Sequence, residues 1–559
     1  MSANGQNRRL RAAFLVLLAI LPALLTGSCA TRGPGTVVIR TFGDISSFSP
    51  LLAGDGASLQ AQALLWPPPL DIDRLTGEAL PSLTTWELSD DGLVYRFTIR
   101  DDAYWSDGAP ISSADMKFVI DAIRLPEVAS PLESALASVA AVEIIDERSY
   151  DIVLEDVDCS ALGRLGRLRF LPSHRYAADF SDVATSAFND MPDISGGPYI
   201  LESHAPGDHQ VYVANRSFFG GAPQIPRLVN RVIAGHAEAL LAIQAGEIDY
   251  SYFHGDLFAR IERREHLQWN VFPQLSVYFL ALNRVARDSS SPAWDRDGIS
   301  PGQAPHPLFS DLRVRKAVAM GYNKEDILAM PAGTPLVGAV SPAIAWAYNS
   351  DIQPWPFDPE AAMALLDEAG WLDSDGDGVR DRDGVPLSFT ISYSDILPLF
   401  ETTALVVQDQ LRDIGFDVAL EKLAWRDYLR DVYLGRQFDA TPMSNSAGAG
   451  GPPDPNDFMT LLESREDRPG SGKGIASYVN PGIDALIDAG RSLPGCGIEE
   501  RAKIYREIQR LAHEDLAYDW TVVPNIWHTA HRRIRNFRPG PSWVFHGYTS
   551  QVHEWALEG

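Results

Sequence analysis

Cysteine is scarce in this chain: there are three in 559 residues, at positions 29, 159 and 496. So few exclude a disulfide-dense miniature scaffold and any Cys-x-x-Cys redox or zinc motif. Basic residues are also in deficit, with 47 Lys and Arg against 74 Asp and Glu and a formal net charge of −27. That charge repels phosphate backbones and anionic headgroups, which argues against nucleic-acid binding and electrostatic adsorption to membranes. The long apolar run at residues 12–25 is too short to cross a bilayer comfortably. No Gly-x-Ser-x-Gly elbow or His-Glu-x-x-His helix is present, and Gly470-Ser-Gly-Lys473-Gly474 lacks the leading Gly and the Ser/Thr of a phosphate loop. The local signatures of hydrolytic and nucleotide chemistry are therefore missing, although two distant carboxylates could still meet in space.

What is present is bulk. Hydrophobic residues make up 45% of the chain, aromatic residues 10% and charged residues 22%, a globular composition with length for roughly three to four domains. Residues 1–28 read as an export signal, with Arg8, Arg9 and Arg11, the apolar run, and small residues Thr26-Gly27-Ser28 before Cys29. A small-residue step before Cys resembles a bacterial lipoprotein signal, so Cys29 is the expected lipidation site and 29–35 a tether. Thr26 stands where that pattern usually has Leu, and an ordinary secretory signal is the alternative. Export would permit a disulfide between Cys159 and Cys496, but nothing in the sequence says that they meet.

Along the rest of the chain, strand and helix patterns alternate. Residues 36–41, 93–100, 277–283, 387–393 and 416–423 read as strands, and residues 238–245, 313–320, 359–370 and 402–414 as helices. A helix is expected to start near Ser112 or Ser113, with Ser113 as its cap, and Gly370 suits a left-handed helix end. This rhythm predicts an α/β architecture. The loop at 287–307 is the clearest candidate for a domain boundary.

Several short sequences, taken in order, resemble the large bacterial extracellular solute-binding proteins of ABC importers, the group that includes dipeptide- and oligopeptide-binding proteins. They are Ser89-Asp90-Asp91-Gly92, Trp105-Ser106-Asp107-Gly108, Gly196-Gly197-Pro198-Tyr199, Ala245-Gly246-Glu247-Ile248-Asp249, Asp311 to Arg315, Tyr322-Asn323-Lys324, and Asp358-Pro359 through Trp371. The resemblance runs from about residue 37 to near the C terminus. It implies a two-lobed, hinged, periplasmic-binding-protein-like fold (type II, large cluster C-like) with an extra domain inserted near the N terminus. The expected division is 36–55, 190–276 and 505–559 in lobe I, 56–189 as the inserted domain, and 277–504 in lobe II. The implied partners are a membrane permease with its ATPase; no cofactor, catalysis or nucleic acid is expected. Trp105, Asp107, Pro198 and Tyr199 are expected to be packing and turn residues rather than ligand contacts.

In the family's peptide binders, a loop before an acidic-Pro step carries an Asp that pairs with the peptide's α-ammonium group. Here the step is Asp454-Pro455, and residues 440–453 hold no Asp or Glu. A buried cation without a carboxylate is costly, so either Asp454 or Asp457 takes the role, or the ligand lacks an exposed amine. The expected ligand contacts are Phe48, Trp346, Tyr348 and Trp425 as aromatic faces, Ser444, Asn445 and Ser446 on a pliable Gly-rich loop, and Asp454.

Asp373, Asp375, Asp377 and Asp381 resemble the start of a calcium loop, but position twelve is Gly384, so a solvated turn is the stronger reading. His528 and His531 lie beside Arg532 and Arg533 and read as surface histidines. The expected function is capture of a peptide or peptide-like solute for an importer. The alternatives are a non-peptide solute such as a sugar or metal chelate, a secreted hydrolase, or a surface module that has lost transport.

Overall fold

A computed structural model describes residues 33, 35–73, 76–255, 257, 264–286, 304–329, 332–446, 453–468, 470, 472–541 and 549–558. Cys29, most of the tether and residues 287–303 of the expected boundary loop lie outside the described residues.

The chain builds two sheets of different character. The larger has eight strands among the described residues, in the order Leu267–Pro273, Val522–His531, Tyr250–His254, Thr36–Thr41, Arg227–Val232, His209–Ala214 and Tyr199–Ala205, with Gly333–Pro335 added along Val522–His531. The second has five, in the order Asp417–Leu423, Ser388–Ser394, Ala440–Ser446, Ser276–Leu282 and Asp519–Trp520. Segment 56–189 contributes a separate antiparallel sheet of Thr84–Leu88, Val94–Ile99, Ser149–Leu154 and Val139–Ile144. This is a two-lobed α/β fold.

Both larger sheets bury two faces, and the side-chain alternation of single strands shows how. In Thr36–Thr41, Val37 and Ile39 join one core cluster while Val38 joins the cluster on the opposite face. In Ser276–Leu282, Val277, Phe279 and Ala281 point to one cluster and Leu280 and Leu282 to the other. Strands buried on both sides read as near-continuous apolar runs, which is why these segments are so easily seen in the sequence.

One apolar core spans the first lobe and segment 56–189, from Val37, Ile39 and Tyr199 to Trp66, Phe97, Trp105 and Phe170. The join is tight: a Cβ on Gly197 would lie 2.5 Å from the Leu64 carbonyl oxygen, so only glycine fits between that helix end and strand Tyr199–Ala205. Trp105 and Tyr199 are fully buried. The Trp105 Nε1 donates to Asp115 at 3.1 Å and the Tyr199 hydroxyl to the Ile225 carbonyl, so these family blocks are packing devices, as expected.

The second lobe has its own two clusters, one on each face of its sheet. The chain passes between the lobes at Gln274-Leu275 and at Thr521, and these crossings are tied to each other's surroundings. Gln274 N–H donates to the Pro524 carbonyl, Thr521 N–H to the Tyr278 carbonyl, and Leu336 N–H to the Thr521 carbonyl. The last crossing differs from the expected join at 504/505, which falls inside helix Ile498–Glu514. Tyr505, Ile508 and Ala512 of that helix pack in the second lobe, and Asp519–Trp520 pairs with Ser276–Leu282. Amphipathic packing carries the helix through to its end, so the chain returns only at Thr521.

Cys159 and Cys496 form a disulfide, with Cα atoms 5.2 Å apart across a sequence separation of 337. It joins segment 56–189 to the second lobe. Beside it, Cys159 N–H donates to the Arg491 carbonyl at 2.7 Å and Arg501 Nη1 to the Cys159 carbonyl at 3.5 Å.

Helix Ser113–Ile123 is capped by Ser112, whose N–H donates to Asp115, rather than by Ser113. The Ser113 hydroxyl instead donates to the Asp146 carbonyl. A serine pair leaves the choice open until the tertiary partner is known.

Candidate ligand-binding site

The expected ligand contacts lie in different surroundings. Phe48 is fully buried, stacks edge-on against His204 at 5.5 Å, and accepts the Trp66 indole N–H on its carbonyl at 2.7 Å. It is a core residue of the first lobe, because the apolar ring pays least where segment 56–189 seals the sheet.

The second-lobe candidates are more open. Trp425 begins the turn Trp425–Asp427 and is 39% exposed. Its ring stacks on Tyr428 at 5.8 Å and 18°, and the buried Tyr428 hydroxyl is fixed by Thr441 Oγ1 at 2.9 Å. An exposed indole braced by a buried tyrosine is a rigid platform. Trp346 is half-buried, edge-on to Tyr505 at 6.0 Å, with the Arg501 guanidinium 5.5 Å from its ring centre. Tyr348 is half-buried, and burial pushes its hydroxyl up to about 12.

Ser444, Asn445 and Ser446 are not on a loop. They end strand Ala440–Ser446, opposite Tyr278, Val277 and Ser276, while residues 447–452 lie outside the described residues. Pairing with an apolar central strand overrides the low strand preference of this serine-rich stretch. The Asn445 Nδ2 is buried without a hydrogen-bond partner among the described residues.

Asp454 is committed elsewhere. Its carboxylate pairs with the buried Arg501 Nη2 at 2.8 Å and accepts the Asn456 N–H at 2.9 Å. Arg501 also donates to the Tyr505 hydroxyl at 2.9 Å and to the Gly490 carbonyl at 3.0 Å. Asp454 is therefore an internal anchor rather than a free carboxylate, because a buried guanidinium needs that partner.

Three residues later the environment differs. Among the described residues Asp457, on the short helix Asn456–Met459, accepts only the Asp454 N–H, at 3.4 Å. Burial, reinforced by the neighbouring charge of Asp454, raises its carboxyl to about 6, against the pull of Arg167 and Arg164. Asn456 beside it is buried with neither amide atom partnered among the described residues, as is the Thr460 hydroxyl. Arg167, in segment 56–189, carries a buried Nε with no partner among the described residues. Arg167 and Asn456 were not legible as site residues; the sole hint was the acidic step 454–457 beside a carboxylate-free stretch.

The carboxylate oxygens of Asp373, Asp375 and Asp377 gather within 4.8 Å of one another. They accept the loop's own amides: Gly376 N–H to Asp373 at 2.8 Å and Val379 N–H to Asp377 at 2.8 Å. Asp381 turns aside to Ser374. The loop's own backbone amides thus engage the Asp373 and Asp377 side chains, as side chains do in turns. His528 corrects the surface assignment: it is fully buried, bonded to the Tyr250 hydroxyl at 2.7 Å, and burial pushes its imidazole down to about 3. Its central strand position explains this.

The model of bacterial extracellular solute-binding proteins, family 5 Middle, matches residues 81–469, and the chain belongs to that family. A putative ABC transporter peptide-binding protein of Brucella ovis is 26% identical over 554 residues, covering 97% of this chain and 96% of its own. Among solved structures, the oligopeptide-binding protein AppA of Bacillus subtilis, in complex with a nonapeptide, aligns with a TM-score of 0.66 at 22% identity, over 94% of this chain and 99% of that one. NikA of Brucella suis, in complex with Fe(III)-EDTA, aligns with a TM-score of 0.74 at 22% identity, over 94% of this chain and 100% of that one.

Proposed function

We propose that this protein is the solute-capturing component of an ABC importer, taking a peptide or peptide-like compound between its lobes and presenting it to a permease and ATPase. It performs no chemistry of its own. The observation that carries this reading is the pair of separately cored lobes joined by crossings at Gln274-Leu275 and Thr521. Contacts made by a ligand to both lobes exist only when the lobes are close, so binding shifts the equilibrium toward closure. The membership in a solute-binding family and the peptide-binding description of the Brucella ovis relative support it. Cys29 as a lipid anchor belongs to the same proposal, and Cys29→Ser releases the protein from membranes if it holds.

An amine-free solute or a metal chelate is the second reading, favoured by the commitment of Asp454 to Arg501 and the absence of carboxylates in 440–453. A thermal-shift screen against free peptides, blocked peptides, sugars and metal chelates separates the two. A ligand at about 100 times its Kd adds roughly 2.7 kcal/mol of stability. Shifts with peptides support the first reading, and shifts with chelates or sugars alone replace it by the second.

A further inference from the structure

We propose that the Cys159–Cys496 disulfide is a reducible clasp, open to thiol–disulfide exchange with a dithiol at Cys496, and that breaking it frees the second lobe to swing away from segment 56–189. The proposal goes beyond solute capture and holds whichever solute is taken.

The clasp is the one point at which these two bodies are firmly tied among the described residues. No apolar cluster there contains residues of both. The hydrogen bonds between them all come from Cys159: its N–H donates to the Arg491 carbonyl at 2.7 Å, its carbonyl accepts from Arg501 Nη1 at 3.5 Å, and its Sγ lies 3.2 Å from the Leu493 carbonyl oxygen. Elsewhere the approach is a bare packing contact, as at Gly77, where a Cβ would lie 3.2 Å from Pro453 Cγ.

Its position suits a latch. Cys496 lies two residues before helix Ile498–Glu514, whose far end leads to the crossing at Thr521. Seventeen residues place the clasp about 25 Å from the end of the helix nearest the hinge. A lobe rotation on the order of 15° would carry that end by roughly 6 Å. The disulfide, with Cα atoms now 5.2 Å apart, lets them separate to no more than about 7 Å. The bond therefore blocks a rotation that the crossings alone would permit.

The two sulfurs are unequally accessible. Cys159 is 5% exposed, whereas Cys496 is half-buried on the turn Pro494–Cys496, behind exposed Pro494 and Gly495. Gly495 and Cys496 are both left-handed, with φ of +74° and +50°. A Cβ disfavours that conformation, so it persists only where the surroundings hold it, and cleavage lets the turn relax.

An incoming thiolate attacks the Cys496 sulfur, forms a mixed disulfide and expels Cys159 as a thiolate, which takes up a proton. The second thiol of the reagent, losing its proton, attacks the reagent's own sulfur in the mixed disulfide and expels Cys496, which is protonated in turn. The cysteine pair gains two electrons and two protons, and the dithiol becomes a disulfide.

The test compares the purified full chain, as Cys29→Ser so that only this pair responds, before and after dithiothreitol by small-angle scattering and amide hydrogen exchange. Alkylation of two thiols, read by mass, establishes cleavage. The reduced protein should keep its far-ultraviolet circular dichroism, show a larger radius of gyration and exchange the Cys159 amide hydrogen about tenfold faster or more, and re-oxidation should reverse both changes. Adding Cys159→Ser and Cys496→Ser should reproduce the reduced values and abolish the response to dithiothreitol. A bond that resists dithiothreitol until the chain is denatured, loss of the fold on reduction, or an unchanged radius and exchange rate after two thiols are alkylated each overturns the clasp. None of these readouts needs a solute, so its failure leaves the solute-binding reading standing.

Discussion

Segment 56–189 is joined to the two lobes in opposite ways. Against the first lobe it shares a continuous apolar core with Trp66, Trp105 and Tyr199 fully buried. Against the second lobe it meets a seam of charge and sulfur: the Cys159–Cys496 disulfide, the Arg501–Asp454 pair, and Arg167 and Asp457, of which the Arg167 Nε is buried with no hydrogen-bond partner among the described residues. An apolar join loses its stabilisation if it opens, since buried area is returned to water. A polar join can exchange its partners for water or a ligand at smaller net cost. The difference makes the first join the costlier one to open.

The strongest way to break this contrast is Trp105→Ala. Removing a fully buried indole from the shared core should cost about 3–5 kcal/mol in denaturant unfolding. A loss under 1 kcal/mol would show that the first join is not packed as a core.

Next is the covalent tie. Cys159→Ser with Cys496→Ser should lower stability by about 2–5 kcal/mol, and small-angle scattering of the ligand-free protein should show a larger radius of gyration. An unchanged radius would mean that the polar contacts alone hold the second join shut.

The seam itself is not built for stability, and Asp457→Asn measures that. A carboxyl raised from 3.8 to about 6 stabilises the fold fully below pH 3.8, and the contribution is lost as pH rises through 6. Asp454, Arg164 and Arg167 are the charged groups acting on it. At pH 8 the variant should therefore be more stable than wild type by about 3 kcal/mol, with the gap closing by pH 4. Equal stability at both pH values would remove the burial argument.

The smallest effect on folding is expected at Trp425→Ala. Its exposed ring should be worth about 1–3 kcal/mol of ligand affinity by calorimetry with the best ligand of the screen, with little change in melting temperature. Equal affinity would exclude this platform from the site.

The fold was legible to a large extent because its signals are local. Strand Thr36–Thr41 and helices Leu312–Met320 and Pro359–Glu368 follow from apolar runs, Asp311 and Asp358 caps, and a glycine at 370 with φ of +83°. The ordered family blocks fixed the α/β, two-lobed class for the same reason, since turn and packing residues sit at set spacings. The missing carboxylate in 440–453 was also visible as sequence.

What lay beyond it depends on partners distant along the chain. Nothing near Phe48 says that segment 56–189 will cover it, and nothing near Ala440–Ser446 says that Ser276–Leu282 will make a strand of it. Two aspartates three residues apart are alike in sequence, yet Arg501, 47 residues away, pairs with Asp454, while Asp457 accepts a backbone N–H at 3.4 Å. His528 went from surface residue to core by sharing a central strand, and the two cysteines met across 337 residues. The sequence by itself determined the elements, the family and the absence of carboxylates from residues 440–453, because caps, periodicity and composition act over a few residues. Only the tertiary structure decided which charges are spent and which remain, because burial and pairing are properties of neighbours in space.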